Sequence, residues 1–503
     1  MLEKEKGLYL AQRAKAYGQE RAIMSSLVYT FRMSRAFWLA LLILTVPASS
    51  RFGPAQTSLS FPPGTVIPRV AAVDNPQQSY ALYLPESYSP QKNWPAIYLF
   101  DPLARGEVAV RQFEHAAEIH GFIVAASNNS RNGSWGPQSE AAQAMVRDTQ
   151  QRFSVDSKRI YFAGFSGGAR VSAELALLCN CAAGVLLSGA GFPQNTRPTT
   201  AANFAVFSAI GNADFNYREV IPLQEQLEKA GLVHWLRVFD GSHEWTTPGV
   251  IDEALAFFRV QAMKAELEPR DGRFIAAQLA SARERAESFE TSGDLFSAWR
   301  EYRQIMFIFD SLAEVSFARA KSESLGKDKT VRDAAKRERH LFAEQDRLSG
   351  DVMSAVAAES NSAAAAEQPA RGQELARDLH QRSLSEKRPD RALLLKRALS
   401  GVFIGSIESG NSALEKQEYL LATRYFACAA EAYPESEWVF RQLAAARALS
   451  GDQKGAIEAL RTARKLAKDT QSFSEWCKQE NALHKLRATA DVQGTCGMTA
   501  DAP

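Results

Sequence analysis

The chain has few cysteines, five in 503 residues. Disulfide-stabilised scaffolds are much denser in cysteine, so the fold must depend on the burial of apolar side chains. A hydrophobic content of 46% over this length is ample for that. Cys179 and Cys181 are too close in sequence for an easy disulfide, and we expect both to be buried thiols on a helix.

An excess of charge of one sign is also missing. The 59 basic and 57 acidic residues leave a formal net charge of +2, which gives no electrostatic reason to expect nucleic-acid binding. There is no CxxC pair and no phosphate-binding lysine loop. A zinc-protease helix beginning at His243 would need a second histidine at position 247, which is Thr247. We therefore expect neither a metal nor another cofactor.

The apolar stretch 36–46 is only eleven residues long, whereas a membrane-spanning helix needs roughly 20. Arg32 and Arg35 precede it, and the small residues 47–50 follow it, in the order of a secretory signal. The pattern predicts an N-terminal extension and signal peptide over 1–50, export to the periplasm or medium, and no stable membrane span after cleavage. A buried or amphipathic helix is the alternative interpretation.

The position of this stretch, more than thirty residues into the chain, predicts that translation begins at Met24 or Met33. No cysteine directly follows the apolar run, so a lipid anchor is not expected there.

The segment 164–168 has the sequence Gly-Phe-Ser-Gly-Gly, a GxSxG pattern. The run 159–163 before it is β-branched and aromatic, and 169–178 after it places apolar residues on one helix face. A strand, a tight turn and a helix form the context of a nucleophile elbow. The pattern predicts Ser166 as a nucleophile, although a small-residue turn is the simpler alternative.

A serine nucleophile needs a base to accept its proton. His243 follows the carboxyl end of the predicted strand 234–239, where parallel sheets place their sites, whereas His234 opens that strand at the wrong end. We therefore expect His243 to be the base.

The acid should follow the preceding strand, 204–210, and Asp214 lies in the turn after it. Its role would be to orient the imidazole and to stabilise the imidazolium. The rival is Asp240, which lies only three residues before His243 and would need an unusual loop to reach the far ring nitrogen.

Acyl transfer also needs backbone donors for the oxyanion, and the residue after the nucleophile, Gly167, supplies one. A second donor is expected after the strand 96–100, where many hydrolases carry His-Gly. This chain has Asp-Pro-Leu there, and because proline has no N–H, we predict the amide of Leu103. Three aromatic residues could line a substrate pocket or could simply pack: Trp135, Phe165 and Trp245.

The region from Ser79 to Met263 resembles compact α/β hydrolases of the polyhydroxybutyrate-depolymerase, feruloyl-esterase and dienelactone-hydrolase type. The resemblance lies in 155–161 leading into the Ser166 elbow, in the Asp214 turn and in 241–245 around the histidine. It implies a mostly parallel sheet with helices on both faces over 51–265, and a serine hydrolase acting on a carboxylic ester. Because one fold hosts many functions, a serine peptidase and an inactive binding scaffold are the alternatives.

After about Met263 the composition shifts to alanine, glutamate, arginine, leucine and glutamine, which predicts an all-α region of helical repeats. The clearest pattern is a 34-residue period, in which Ala422, Phe426 and Ala429 match another triplet of similar residues: Ala456, Leu460 and Ala463. We predict repeats over 373–475 and a C-terminal tail over 476–503.

A partial repeat is predicted within the helical region 266–350, where Gly293-Asp294 precedes Ala298 and Tyr302. The alanine- and serine-rich stretch 351–372 is predicted to be a linker. The repeats resemble tetratricopeptide modules, which usually bind a protein or peptide partner in a groove. Bracing the hydrolase or pairing with a second copy is the alternative.

Overall fold

The structure is a computed structural model that describes residues 61–193, 196, 198–199, 202–359 and 371–498. The apolar stretch 36–46 and the two candidate start sites lie outside the described residues. Among the helices that are described, none has the length and apolar character needed to span a membrane. The chain divides into two compact units, one made of Met1–Gly211 with Glu219–Arg332 and the other of Asn212–Arg218 with Asp333–Pro503.

The first unit contains an eight-stranded sheet with the order β1-β2-β4-β3-β5-β6-β7-β8. Strands β3 to β8 are parallel, and the antiparallel β1 and β2 complete the edge next to β4. Both faces of the central strands are covered, which is why their sequences are nearly continuous apolar runs. The strands are β1 (Ile67–Ala71), β2 (Ser79–Tyr83), β3 (Trp94–Phe100), β4 (Ile123–Ser127), β5 (Val155–Phe165), β6 (Ala182–Ser188), β7 (Ala205–Gly211) and β8 (His234–Phe239).

Helices pack on the two faces of this sheet in two apolar clusters. Ile97 of β3 packs in the same cluster as Phe113 and Phe257, whereas the next residue, Tyr98, packs in the other cluster with Met145. The helices are α1 (Gly106–His120), α2 (Trp135–Arg152), α3 (Gly167–Cys179), α4 (Tyr217–Lys229) and α5 (Pro248–Lys264). The predicted fold class, an α/β hydrolase sheet followed by a mostly helical region, is confirmed.

Three further helices extend the first unit: α6 (Gly272–Thr291), α7 (Leu295–Phe309) and α8 (Ser316–Gly326). Ala298 and Tyr302, the residues of the partial repeat, are fully buried in the same cluster as Phe257 of α5. The side chain of Gln304 also accepts a hydrogen bond from the backbone of Leu236 in β8. These helices are therefore packed as part of the first unit.

The second unit is helical, and the six residues of the 34-residue period are all fully buried in one apolar cluster. Its helices are α9 (Lys329–Glu359), α10 (Arg371–Ser385), α11 (Pro389–Glu415), α12 (Tyr419–Ala432), α13 (Glu437–Ser450), α14 (Gln453–Leu466), α15 (Thr470–Gln479) and α16 (Ala490–Cys496), with a 3₁₀ turn at Asn481–Leu483.

The same type of turn precedes α7 in the first unit and α14 in the second unit. Gly293 and Gly451 have φ values of +83° and +88°, which favour glycine, and each is followed by an aspartate that caps the next helix. Asp294 accepts from the amide of Ser297, and Asp452 accepts from that of Gly455.

Two predicted boundaries differ from the observed elements. The predicted linker 351–372 begins inside α9, which continues to Glu359 because alanine favours helix, and α10 begins at Arg371. Residues 360–370 lie outside the described residues. The predicted tail 476–503 contains the end of α15 and all of α16, which the Cys477–Cys496 disulfide joins.

The expectation of thiols at Cys179 and Cys181 is wrong, because the two form a disulfide. The helix α3 ends at Cys179, and Asn180 adopts the left-handed conformation with φ of 49°. This reversal leaves the two Cα atoms 5.1 Å apart, within the usual range for a disulfide. Among the described residues, Cys428 is the cysteine outside the two disulfides, and it is buried.

Candidate active site

Ser166 lies in a strained turn between β5 and α3. Its φ of 54° and ψ of −120° are unusual for a residue with a side chain, and its amide donates to the carbonyl of Ser188 at 2.8 Å. A Cβ at Gly164 would overlap the backbone of Gly168, and a Cβ at Gly168 would overlap that of Phe100. The glycines therefore allow the close packing that holds the serine in this conformation.

His243 lies beside this serine. Its Nε2 atom is 2.9 Å from Ser166 Oγ, a hydrogen-bond distance at which the imidazole can accept the hydroxyl proton. The loop that carries His243 follows β8 and packs over the end of β7, where a Cβ at Gly211 would lie only 2.5 Å from the carbonyl oxygen of Gly241. The ring of Phe165 supports the imidazole, with centroids 4.7 Å apart.

His234 lies at the opposite end of β8 and is buried. Its Nδ1–H donates to the carbonyl of Leu232 at 3.0 Å. Burial lowers the pKa of His234 to about 4, despite this hydrogen bond. The imidazole is therefore neutral at pH 7 and contributes to packing at the far edge of the sheet.

Asp214 is fully buried in the loop that follows β7, and its Oδ1 accepts from the amide of Asn216 at 2.8 Å. The segment Asn212–Arg218 that contains it belongs to the second unit. There Arg397 donates to the carbonyl of Asn212 at 2.6 Å, and Gln345 donates to that of Phe215 at 2.8 Å. The rival acid, Asp240, is exposed.

The loop after β3 is organised by Asp101, a buried carboxylate that the sequence analysis did not single out. Oδ1 accepts from the amide of Leu103 at 2.9 Å and from Arg105 Nε at 2.9 Å, and Oδ2 accepts from Trp245 Nε1 at 2.9 Å. Burial by itself would raise the pKa of Asp101, but the hydrogen bonds from Arg105, Trp245 and Leu103 together hold it below its usual value.

This arrangement does not fit the prediction that the Leu103 amide holds an oxyanion. Aspartate side chains commonly bond the backbone amide two residues on, and the Leu103 amide is paired in this way, while its side chain is exposed. Gly167, the other predicted donor, directly follows the nucleophile at the start of α3.

The three aromatic residues considered for a pocket lie in different surroundings. Phe165 is buried next to His243, with its ring centroid 5.8 Å from that of Trp245. Trp245 also packs edge-on against Phe113 at 5.9 Å, so it connects the loop after β8 to α1 as well as to Asp101. Trp135 begins α2 and is half-buried against the cluster that contains Met145.

Asn132 is a second residue that the sequence analysis missed. A Cβ at Gly167 would overlap its side-chain oxygen and would lie 2.8 Å from its Cγ. Its loop follows the carboxyl end of the parallel strand β4. Because such loops often carry site residues, this position was the signal in the sequence that could have pointed to Asn132.

Within the described ranges, no group of three histidine, cysteine, aspartate or glutamate residues could hold a metal ion.

No protein-family model matches the chain, and no curated protein matches it. The chain is similar to solved structures over about two fifths of its length. S-formylglutathione hydrolase (FrmB) from Staphylococcus aureus is 14% identical, with 39% of this chain and 95% of that chain covered and a TM-score of 0.33. The feruloyl esterase module from Clostridium thermocellum is 16% identical, with coverages of 43% and 94% and a TM-score of 0.32. Esterase LipW from Mycobacterium marinum is 18% identical, with coverages of 39% and 82% and a TM-score of 0.33.

Proposed function

We propose that the protein is a serine hydrolase that cleaves a carboxylic ester through Ser166, His243 and Asp214. The observation that carries the proposal is the 2.9 Å approach of His243 Nε2 to Ser166 Oγ at a strained strand-to-helix turn. A nucleophile and a base within hydrogen-bond reach are the defining pair of this chemistry.

In the proposed mechanism, His243 accepts the proton of Ser166 as the oxygen attacks the ester carbonyl. The amide of Gly167 donates to the oxyanion of the tetrahedral intermediate. The imidazolium then protonates the leaving alcohol, which leaves an acyl group on Ser166. Water, activated by the same imidazole, releases the carboxylic acid and restores the serine.

The proposed role of Asp214 is to hold the imidazole of His243 in the required tautomer. Its support is chain position and burial. Asp214 follows Gly211 by three residues, and Gly211 packs against the loop that leads to His243. A buried carboxylate in that loop is the residue type that the role requires.

We also propose that the protein is exported, to the periplasm or the medium. The signal-like order of residues 32–50 is the primary support. The disulfides Cys179–Cys181 and Cys477–Cys496 add to it, because such bonds persist in oxidising compartments.

For the helical repeats we propose the binding of a protein or peptide partner. The 34-residue period supports a tetratricopeptide-like module. Two large apolar side chains near the starts of successive helices are also exposed and could contact a partner. Leu420 of α12 is 69% exposed, and Trp438 of α13 is 45% exposed.

The proposed function is tested by labelling the purified protein with a fluorophosphonate probe and by measuring hydrolysis of p-nitrophenyl acyl esters. Ser166→Ala and His243→Ala should abolish labelling, and Ser166→Ala should lower kcat on the order of 10⁶-fold. Ser157→Ala is the matched control, because Ser157 is exposed near the other end of the same strand and should label like the wild type.

Two results would overturn the proposal. If folded wild-type protein does not label, the fold serves as a binding scaffold. If aminoacyl anilides are cleaved far faster than the acyl esters, the same three residues serve a peptidase.

A further inference from the structure

We infer that the side-chain amide of Asn132 is the second oxyanion donor, acting together with the backbone amide of Gly167. The inference rests on the proposed function, because it assigns a residue to the same site. It adds a catalytic residue that lies outside the triad and outside the GxSxG pattern.

The need for such a donor follows from the loop after β3. An acyl-transfer site stabilises the oxyanion with preorganised donors, and in nucleophile-elbow hydrolases these are the amide after the nucleophile and a second N–H from another loop. Leu103 was the expected second donor, but its amide is paired with Asp101 Oδ1 at 2.9 Å. Pro102 has no N–H. The amides of Ala104 and Arg105 also donate to Asp101, so residues 102–105 offer no unpaired backbone amide as the second donor.

Asn132 is held between this loop and the nucleophile. Its backbone amide donates to the carbonyl of Pro102 at 2.9 Å, and its neighbour Arg131 forms an isolated antiparallel bridge with Leu103. The loop after β4 is thus joined to the loop after β3 by backbone contacts. This pairing fixes the main chain at Asn132 and directs its side chain to the start of α3.

The carboxamide of Asn132 occupies the space that a side chain at position 167 would fill. A Cβ at Gly167 would overlap Oδ1 and would lie 2.8 Å from Cγ and 3.3 Å from Nδ2. The carboxamide is therefore in contact with Gly167, the residue directly after the nucleophile, whose backbone amide is the first proposed donor. Glycine at position 167 is what allows this approach.

The donor is available for a ligand. Among the described residues, none forms a hydrogen bond with the carboxamide of Asn132, and the residue is exposed. A carboxamide carries two N–H donors and one acceptor, and rotation about its terminal bond exchanges their positions. Asn132 can therefore present Nδ2 to an oxyanion beside Gly167 without any movement of the backbone. It donates a hydrogen bond only, and no proton is transferred to or from it.

The test compares Asn132→Ala and the isosteric Asn132→Asp with wild type, using a p-nitrophenyl ester that the wild type hydrolyses. Both variants should lower kcat on the order of 10²-fold, with KM changed by less than about threefold, because the hydrogen bond strengthens as the oxyanion forms. Binding of a trifluoromethyl ketone, which forms a tetrahedral adduct with the serine, should weaken by a similar factor. Asn93→Ala is the matched control, since Asn93 is exposed before β3, at the opposite end of that strand.

The inference is overturned if Asn132→Ala, folded as judged by circular dichroism, retains kcat within about threefold of wild type. It is also overturned if KM rises as much as kcat falls while the affinity for the ketone is unchanged, since that result indicates a structural role. Either result leaves the proposed function intact, because Ser166 would still react with the fluorophosphonate probe in the wild type. Absence of labelling in the wild type would instead remove the proposed function, and the inference with it.

Discussion

Replacement of Gly211 by alanine should impair catalysis without altering any residue of the proposed triad. Gly211 ends β7, and a Cβ there would lie 2.5 Å from the carbonyl oxygen of Gly241 and 2.8 Å from its carbonyl carbon. Ordinary carbon–oxygen contacts begin near 3.4 Å, so the loop must retreat by about 1 Å. His243 follows two residues later in that loop.

A retreat of this size would open the 2.9 Å hydrogen bond between His243 Nε2 and Ser166 Oγ. Misplacement of a catalytic group by about 1 Å can cost on the order of 10²-fold in rate. That factor corresponds to about 3 kcal/mol of activation free energy. We therefore expect Gly211→Ala to lower kcat for a p-nitrophenyl ester about 10²-fold and to slow labelling by a fluorophosphonate in parallel.

Gly249→Ala is the control for this experiment. Gly249 lies in α5, a Cβ there meets no atom within 4 Å, and alanine favours helix. This variant should match the wild type in activity and equal or exceed it in stability. If Gly211→Ala folds with the wild-type circular dichroism spectrum and keeps kcat within twofold, the clash does not displace His243 and the reasoning is refuted.

Two further predictions concern stability. Burial places the pKa of His234 at about 4 in the folded chain, whereas the pKa of an unfolded histidine is about 6.5. Because acid therefore protonates the unfolded state first, the stability should fall as the pH drops below about 6.5. Urea unfolding at pH 7.5 and at pH 5 measures the effect. The free energy of unfolding of the first unit should fall about 2 kcal/mol more in wild type than in His234→Phe. Equal losses in the two proteins would contradict the lowered pKa of His234. Replacing both Cys477 and Cys496 by alanine should lower the unfolding free energy of the second unit by about 3 kcal/mol, because the disulfide closes a loop with a sequence separation of 19. A reductant should cause the same loss of stability in wild type and should have no effect on the second unit of the double variant. If the stability of the wild type does not change with reductant, the disulfide contributes nothing.

Local patterns in the sequence predicted the position of the turn at Ser166, and the fold class followed from the family resemblance of the motifs around it. A run of β-branched and aromatic residues ending in glycines predicted the strand 159–163 and the helix after it, and the structure has β5 at Val155–Phe165 and α3 at Gly167–Cys179. The strand is longer than predicted at its beginning, where polar residues are exposed or half-buried and the apolar pattern gives no signal.

Other features depend on contacts between distant residues, which a local pattern does not encode. Asp101 accepts from Trp245, 144 positions away, through Oδ2, while its Oδ1 occupies the amide of Leu103. Asn132 meets Gly167 only after α2 and β5 have brought the chain back to the same edge of the sheet. The Cys179–Cys181 disulfide requires a left-handed residue at the end of α3, and asparagine at that position is a weak sign of a helix end.

The shared carboxylate of Asp101 has a consequence for how the site can move. One oxygen holds the loop after β3 through Leu103 and Arg105, and the other holds the loop after β8 through the indole of Trp245. The two loops are therefore joined through one carboxylate, and neither can move away alone without leaving a buried charge short of a donor. For the proposed hydrolase, entry and release of a substrate would then use segments other than these two loops.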